Sequence, residues 1–290
     1  MMTAAAGASG QSATRTLDVR VDGSVVFAEI CAPPMNLLGP ELVRDLVTLI
    51  RAAEADASAR VLVFSSADPD YFISHVDVTK VAQYRAEAAE LVGEPSIGLL
   101  FRRLSESRLV SIAQIQGRVR GAGSEFVLAC DMRFAARESA LFCQLEQAFG
   151  TIPGAGGVQH LTRLLGRGRA LEVMLSAQDY DADLAERYGW INRALPAAEL
   201  PGFVTALAHR IAGFPAAAHA TLKDRVNEIT LAPAEAFRRD SDLFAEGLSS
   251  PEGSSRMRAA MRRGFQTPDG EMDLPRLLGA LSDGPDEHPS

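Results

Sequence analysis

Only two of the 29 basic residues in this 290-residue chain are lysines, Lys80 and Lys223. With 37 acidic residues against them the formal charge is −8, which on average repels a phosphate backbone and argues against nucleic acid as a partner. Three cysteines, Cys31, Cys130 and Cys143, have no CxxC spacing and leave one over from any pairing. That excludes a disulfide framework and a structural zinc site, and each is expected to be a small buried hydrophobe. Apolar runs such as Val61-Leu-Val-Phe64 are strand-sized, far short of the roughly 18 residues of a membrane span. Residues 1–16 are rich in Ala, Ser, Gly and Thr, with no apolar h-region and a single arginine, Arg15. They are expected to form a disordered arm on a cytoplasmic protein that uses no membrane.

What the chain does contain is apolar surface: 47% of its residues are hydrophobic and 23% charged, enough to bury a sizeable core. Two alternating runs, Leu17 to Val21 and Val25 to Ile30, flank Asp22-Gly-Ser24 and predict a β-hairpin. Leu42, Leu46, Leu49 and Ile50 recur on one face of a helix from Pro40 to Ala53. Val61 to Phe64 and Leu109 to Ile115 predict strands buried on both faces, with a loop over 65–77 and helical sequence from about Val78 to Ser105 between them. Met132 to Ala136 predicts a further strand. Helix-length separations between strands imply crossovers and a mainly parallel sheet. From Gly154 onward the pattern is helical, broken at Gly166, Gly189, Pro196, Pro215, Pro233 and Pro251. The fold class is therefore α/β, divided into a core over 17–200, a helical region over 201–282 and a frayed tail over 283–290.

Three features suggest chemistry. Gln116-Gly-Arg-Val-Arg-Gly-Ala-Gly-Ser-Glu125 is a glycine-punctuated loop between a buried strand and a helix. It brings backbone close to a ligand and offers free N–H groups to developing negative charge, or else is a tight turn and no more. Gly150-Thr-Ile-Pro-Gly-Ala-Gly-Gly157 also precedes a helix, but it lacks the Lys-Ser/Thr of a nucleotide-binding P-loop. Glu125 and Glu146 each lie beside apolar sequence, where desolvation raises a carboxyl pKa toward useful acid–base values. Taken alone, each reads first as a solvated or capping carboxylate, and spacing alone does not bring them together.

From about Val61 to Leu195, and more weakly to Gly264, the chain resembles the crotonase superfamily of enoyl-CoA hydratases and isomerases. Pro34-Met-Asn-Leu37, Phe72-Ile-Ser-His-Val-Asp77, Gly117 to Asp131, and Leu145-Glu146 running into Thr151 to Gly157 carry the resemblance. It implies a spiral of ββα units with a helical C-terminal region that builds a homotrimer or hexamer. It also implies an acyl-CoA thioester whose carbonyl oxygen sits between the backbone N–H groups of Val76 and Ala122. Glu125 and Glu146 match the two glutamates that add water across a conjugated double bond. His75, Asp77, Val78, Gly121 and Gly154 match substrate-binding positions. No metal or separate cofactor is implied, because coenzyme A arrives as part of the substrate.

The chain departs from the family pattern at several points. His75-Val76 stands where the family has Gly-Ala, so His75 is readable as a pantetheine contact, an extra acid–base group or an exposed loop residue. Ala122 replaces a glycine and Leu145 a proline. Arg118 and Arg120 stand where small or apolar residues are usual, and read as pairs with acidic neighbours at a subunit contact or as CoA-phosphate contacts. Asp131 and Trp190 read as structural. Arg256, Arg258, Arg262 and Arg263 form a basic stripe, either a solvated face or a contact for CoA phosphates in a neighbouring subunit. Hydration of an enoyl-CoA is the leading expectation. Double-bond isomerisation, thioester hydrolysis and non-catalytic acyl-CoA binding are the alternatives, and the superfamily's lysine-rich RNA-binding branch is excluded by the lack of lysine.

Overall fold

A computed structural model describes residues 16–282; the expected arm (apart from Thr16) and the expected tail over 283–290 lie outside the described residues. The hairpin forms as predicted, β1 (Leu17–Asp22) pairing antiparallel with β2 (Val25–Ile30) around Gly23, whose φ of 60° suits a residue without a Cβ. Helix α1 (Pro40–Ala55) buries the predicted face, with proline at its first turn where no N–H is needed. Next come β3 (Val61–Ser66) and β4 (Tyr71–Ile73). The single helical stretch expected from Val78 is two helices, α2 (Val81–Val92) and α3 (Ile97–Glu106). Gly93 ends the first in a left-handed conformation, and the Ser96 hydroxyl caps the second by accepting from Leu99 N.

The chain continues through β5 (Val110–Ile115), β6 (Arg118–Arg120), α4 (Ala122–Ala129), β7 (Met132–Ala136) and β8 (Leu141–Cys143). A 3-10 turn over Glu146–Phe149 precedes α5 (Gly157–Leu165) and α6 (Arg167–Ser176). Then follow β9 (Tyr180–Asp181), α7 (Ala182–Tyr188) and β10 (Arg193–Leu195). The strands make two sheets, β1-β2-β3-β5-β7-β10 and β4-β6-β8-β9, parallel except for the β1–β2 and β8–β9 pairs. Three successive turns of chain, β3-β4, β5-β6 and β7-β8, each place one strand in each sheet before a helix returns. That is the expected spiral of ββα units. The second sheet was hidden because its strands are two or three residues long and sit inside segments that read as loops.

Beyond β10 the described chain is helical: α8 (Leu200–Ala212), α9 (Ala216–Thr230), α10 (Ala234–Ser249), α11 (Pro251–Arg262), α12 (Pro268–Met272) and α13 (Leu274–Gly279). Alternation along β3 divides the core. Val61 and Val63 pack with Leu200, Val204 and Ala208 of α8, whereas Leu62 and Phe64 face the main core with α1, α3 and α4. Helices α11 to α13 fold back, so that Ala260, Phe265, Leu274 and Leu278 cluster with Cys143, Leu145 and Phe149. Cys130 and Cys143 are buried as expected, but Cys31, just past the end of β2, is exposed. No described helix is long and apolar enough to cross a membrane.

Candidate active site

The site begins with Asn36. Its amide donates to Ser66 Oγ (2.8 Å) and to the carbonyls of Tyr71 and Phe72, tying the Pro34-Met-Asn-Leu37 turn to β4. Beyond β4, Leu38 N donates to His75 O (2.8 Å) and Asp77 N to Leu38 O (3.2 Å). In this parallel bridge the groups of residues 75 and 77 are used, so the N–H of Val76 faces the opposite side. Gly121, at φ 47° and ψ −124°, has the geometry of the first central residue of a type II′ turn. This turns the next peptide so that Ala122 opens α4 with a free N–H. Among the described residues neither the Val76 nor the Ala122 N–H has a protein acceptor. Gly123 locks the two segments together, since a Cβ there would lie 2.0 Å from Ile73 O.

Glu125 sits in the first turn of α4, only 2% exposed, and its Oε1 accepts from Ala155 N (2.7 Å) and Gly157 N (2.8 Å). Glu146, 5% exposed, opens the 3-10 turn and its Oε2 accepts from Gln144 Nε2 (3.2 Å). Burial pushes both carboxyls well above the usual range, and the charge of Glu146 pushes Glu125 further in the same direction. They titrate as a pair. The fold thus brings together two carboxylates that lie 21 residues apart in the sequence.

Both line one cleft with His75, Val76, Val78, Gly121, Ala122 and Gly154. Its remaining wall is mostly apolar: Ile97, Leu145 and Phe149 from the core, Phe244, Leu248 and Met257 from α10 and α11, and Phe265 from the turn before α12. Of the expected substrate-binding residues, Asp77 alone is absent from the lining. Its carboxylate instead accepts from the backbone and hydroxyl of Thr79 and lies 3.6 Å from Lys80 Nζ, closing the turn before α2.

The exposed-loop reading of His75 is wrong. The residue is buried, its ring stacks on Phe265 (centroids 4.4 Å apart), and Nε2 lies 2.9 Å from Glu271 Oε1. Arg120 is fully buried too, forked onto Asp179 (2.9 and 2.6 Å) and bonded to Glu271 O (2.7 Å) and Oε2 (3.3 Å). It is an intrachain pair and has no surface to offer a phosphate. Arg118 stacks over Tyr71, 5.4 Å from the ring centroid. Asp131 accepts from Ser111 N and Lys223 Nζ, and Trp190 packs beside Phe142 and Tyr180, both structural as expected. In the basic stripe Arg256 bonds Glu252 and Ala148 O, while Arg258 and Arg262 stay exposed. Sequence reasoning missed Gln144, Glu271 and Tyr84. Nothing in the local sequence marks the first two, and Tyr84 had only its place on the helix after Asp77.

Residues 20–261 match the family described as enoyl-CoA hydratase/isomerase. The chain is similar to the short-chain-enoyl-CoA hydratase of Clostridium acetobutylicum, 27% identical over 83% of this chain and 93% of that protein. It is 30% identical to a "Probable enoyl-CoA hydratase" of Rhizobium meliloti, over 79% of this chain and 90% of the relative. Among solved structures, one described as a "putative enoyl-CoA hydratase" from Streptomyces avermitilis is 50% identical. It covers 93% of this chain and 99% of its own, with a TM-score of 0.91.

Proposed function

The chain belongs to the enoyl-CoA hydratase/isomerase family of the crotonase superfamily, and on that footing we propose that it hydrates a 2-enoyl-CoA thioester. One observation carries the reading: two buried glutamates and two N–H groups without protein acceptors line the same apolar cleft. The thioester oxygen accepts from Val76 N–H and Ala122 N–H, which stabilise the negative charge it gains as the enolate forms. One glutamate takes a proton from water as its oxygen bonds to the β-carbon. The other delivers a proton to the α-carbon, so that H and OH add across the double bond and no atom is lost. Desolvation suits the pair to this exchange, since a carboxyl near neutrality can both hold and release a proton.

The reading needs no metal and no redox cofactor, because coenzyme A enters and leaves with the acyl group. It places the enzyme in the cytoplasm, as a homotrimer or hexamer. Support for assembly comes from α9, which buries no residue and exposes Leu222, Val226 and Ile229 on one face.

The test is a product-resolved mass-spectrometric assay on a panel of enoyl-CoA thioesters, comparing wild type with Glu125→Gln and Glu146→Gln. Water addition that is lost in both variants is the expected result. Activity surviving Glu146→Gln as a shifted double bond, or free acid from the wild type, would replace hydration with isomerisation or hydrolysis. An acyl-CoA that binds without any product would make the chain a binding protein.

A further inference from the structure

Outside the groups of the proposed chemistry, the polar side chains along the cleft each have a protein partner among the described residues, with one exception. His75 is held by Val76 O and Glu271, Ser241 Oγ donates to Gly154 O (2.9 Å), and Thr151 Oγ1 donates to Phe244 O (2.9 Å). Arg85 Nε donates to Pro95 O (2.6 Å). Glu125 and Glu146 belong to the proposed chemistry. Tyr84, on α2, lines the same cleft and is only 2% exposed. Among the described residues nothing donates to its hydroxyl or accepts from it. The hydroxyl is not among the sealed, unsatisfied polar atoms of the interior, and the residue that carries it forms part of the cleft wall.

A buried phenol that meets only hydrocarbon loses its water and gains nothing in return. A cleft built for a plain acyl chain would be better served by phenylalanine. We propose that Tyr84 is a specificity residue whose hydroxyl binds an oxygen substituent on the acyl chain, so that the preferred substrates are 2-enoyl-CoA thioesters oxygenated beyond the double bond. This rests on the hydratase reading of the cleft. Burial holds the phenol protonated, so it acts as a hydrogen-bond donor. Tyr84 and Glu125 line the same cleft, which puts the phenol on the wall that the acyl group passes. Hydroxyl and carboxylate oxygens share this acceptor chemistry. Arg85, which also lines the cleft, adds positive charge beside Tyr84 that favours the carboxylate.

The experiment uses isosteric pairs: 4-hydroxycrotonyl-CoA against pent-2-enoyl-CoA, and glutaconyl-CoA against 5-methylhex-2-enoyl-CoA. Values of kcat/KM are measured for wild type and Tyr84→Phe, which keeps the packed ring. The wild type is expected to prefer an oxygenated member by roughly tenfold or more, and Tyr84→Phe to erase that preference. The pair that responds separates hydroxyl from carboxylate. Preference for the plain members, a ratio unchanged by the substitution, or an equal loss on both members of a pair would overturn the proposal. If no thioester is hydrated, the hydratase reading fails on its own account. Calorimetric binding of 4-hydroxybutyryl-CoA against pentanoyl-CoA then decides: a wild-type preference lost in Tyr84→Phe upholds the assignment, and equal affinities overturn it.

Discussion

His75 and Glu271 stand 196 positions apart in the sequence and 2.9 Å apart in the structure, both buried. The other ring nitrogen of His75 lies 2.8 Å from Val76 O, so the ring links α12 to the residue that offers its N–H to the thioester. Glu271 is itself held by Arg120 and by Gln266 N. Burial works to raise the Glu271 carboxyl, but His75 and Arg120 outweigh it and keep it ionised below the usual range. His75 is therefore a positioning residue. The bulk that a glycine would avoid is fixed by a C-terminal partner, which accounts for the departure from the family pattern at this loop.

Glu271→Gln keeps the shape of this link and removes its charge; His75→Asn removes the ring. Each should lower kcat about tenfold or more with a smaller change in KM, because the Val76 donor acts most strongly in the transition state. The double variant should be little worse than either single one, since both break the same link. Steady-state kinetics on the three variants checks this, and additive losses in kcat would show that the residues act separately.

Much of the main sheet was legible because its strands are apolar runs bounded by turn residues, and periodicity sees such runs directly. The β4-β6-β8-β9 sheet was not, because segments such as Tyr71–Ile73 are too short to show a period. The glutamates and loop donors were legible only through ordered motifs. No spacing rule predicts that Glu125 will accept from Ala155 and Gly157, about 30 residues away across the fold. Glu271 was illegible for the same reason in stronger form: it is fixed by Arg120 and His75, and long-range ion pairs leave no local signature. Cys31 shows the converse error, since apolar neighbours in sequence do not bury a residue that lies just past the end of a strand.

Gly121→Ala tests the Ala122 donor. At φ 47° an added Cβ is strained, and it would come within 3.1 Å of Glu146 Oε1 and 3.3 Å of His75 Cβ. The peptide should rotate to relieve this and carry the Ala122 N–H away from the cleft. A loss of about 10²-fold in kcat is expected, the usual effect of removing one oxyanion donor. Thermal unfolding measured alongside separates this from misfolding. Undiminished turnover would show that the Ala122 N–H does not bind the oxyanion.

Assembly is tested on α9. Leu222, Val226 and Ile229 are 66%, 48% and 80% exposed, a stripe left uncovered by the other described residues. Light scattering should show the wild type as a trimer or hexamer. The double variant Leu222→Glu, Ile229→Lys should fall to a smaller species. An unchanged mass would place the interface elsewhere on the chain.

The buried pair gives stability an unusual pH dependence. In the unfolded chain Glu125 and Glu146 titrate in the ordinary glutamate range, whereas in the folded protein burial raises both. Between those two ranges the folded state still holds protons that the unfolded chain has released. Stability therefore falls as pH rises through that window, opposite in sign to a salt-bridged carboxylate. Glutamine has no proton to lose, and its amide oxygen can still accept from Ala155 N and Gly157 N at position 125. Glu125→Gln and Glu146→Gln should accordingly match wild type in Tm near pH 4 and exceed it by roughly 2–8 °C near pH 8. Activity of the wild type should fall on the alkaline side, where the pair loses the proton that the α-carbon requires. Calorimetry across this pH range, with kcat/KM measured in the same buffers, checks both limbs. Parallel Tm curves for wild type and variants would mean that the two carboxylates ionise as freely in the folded protein as in the unfolded chain.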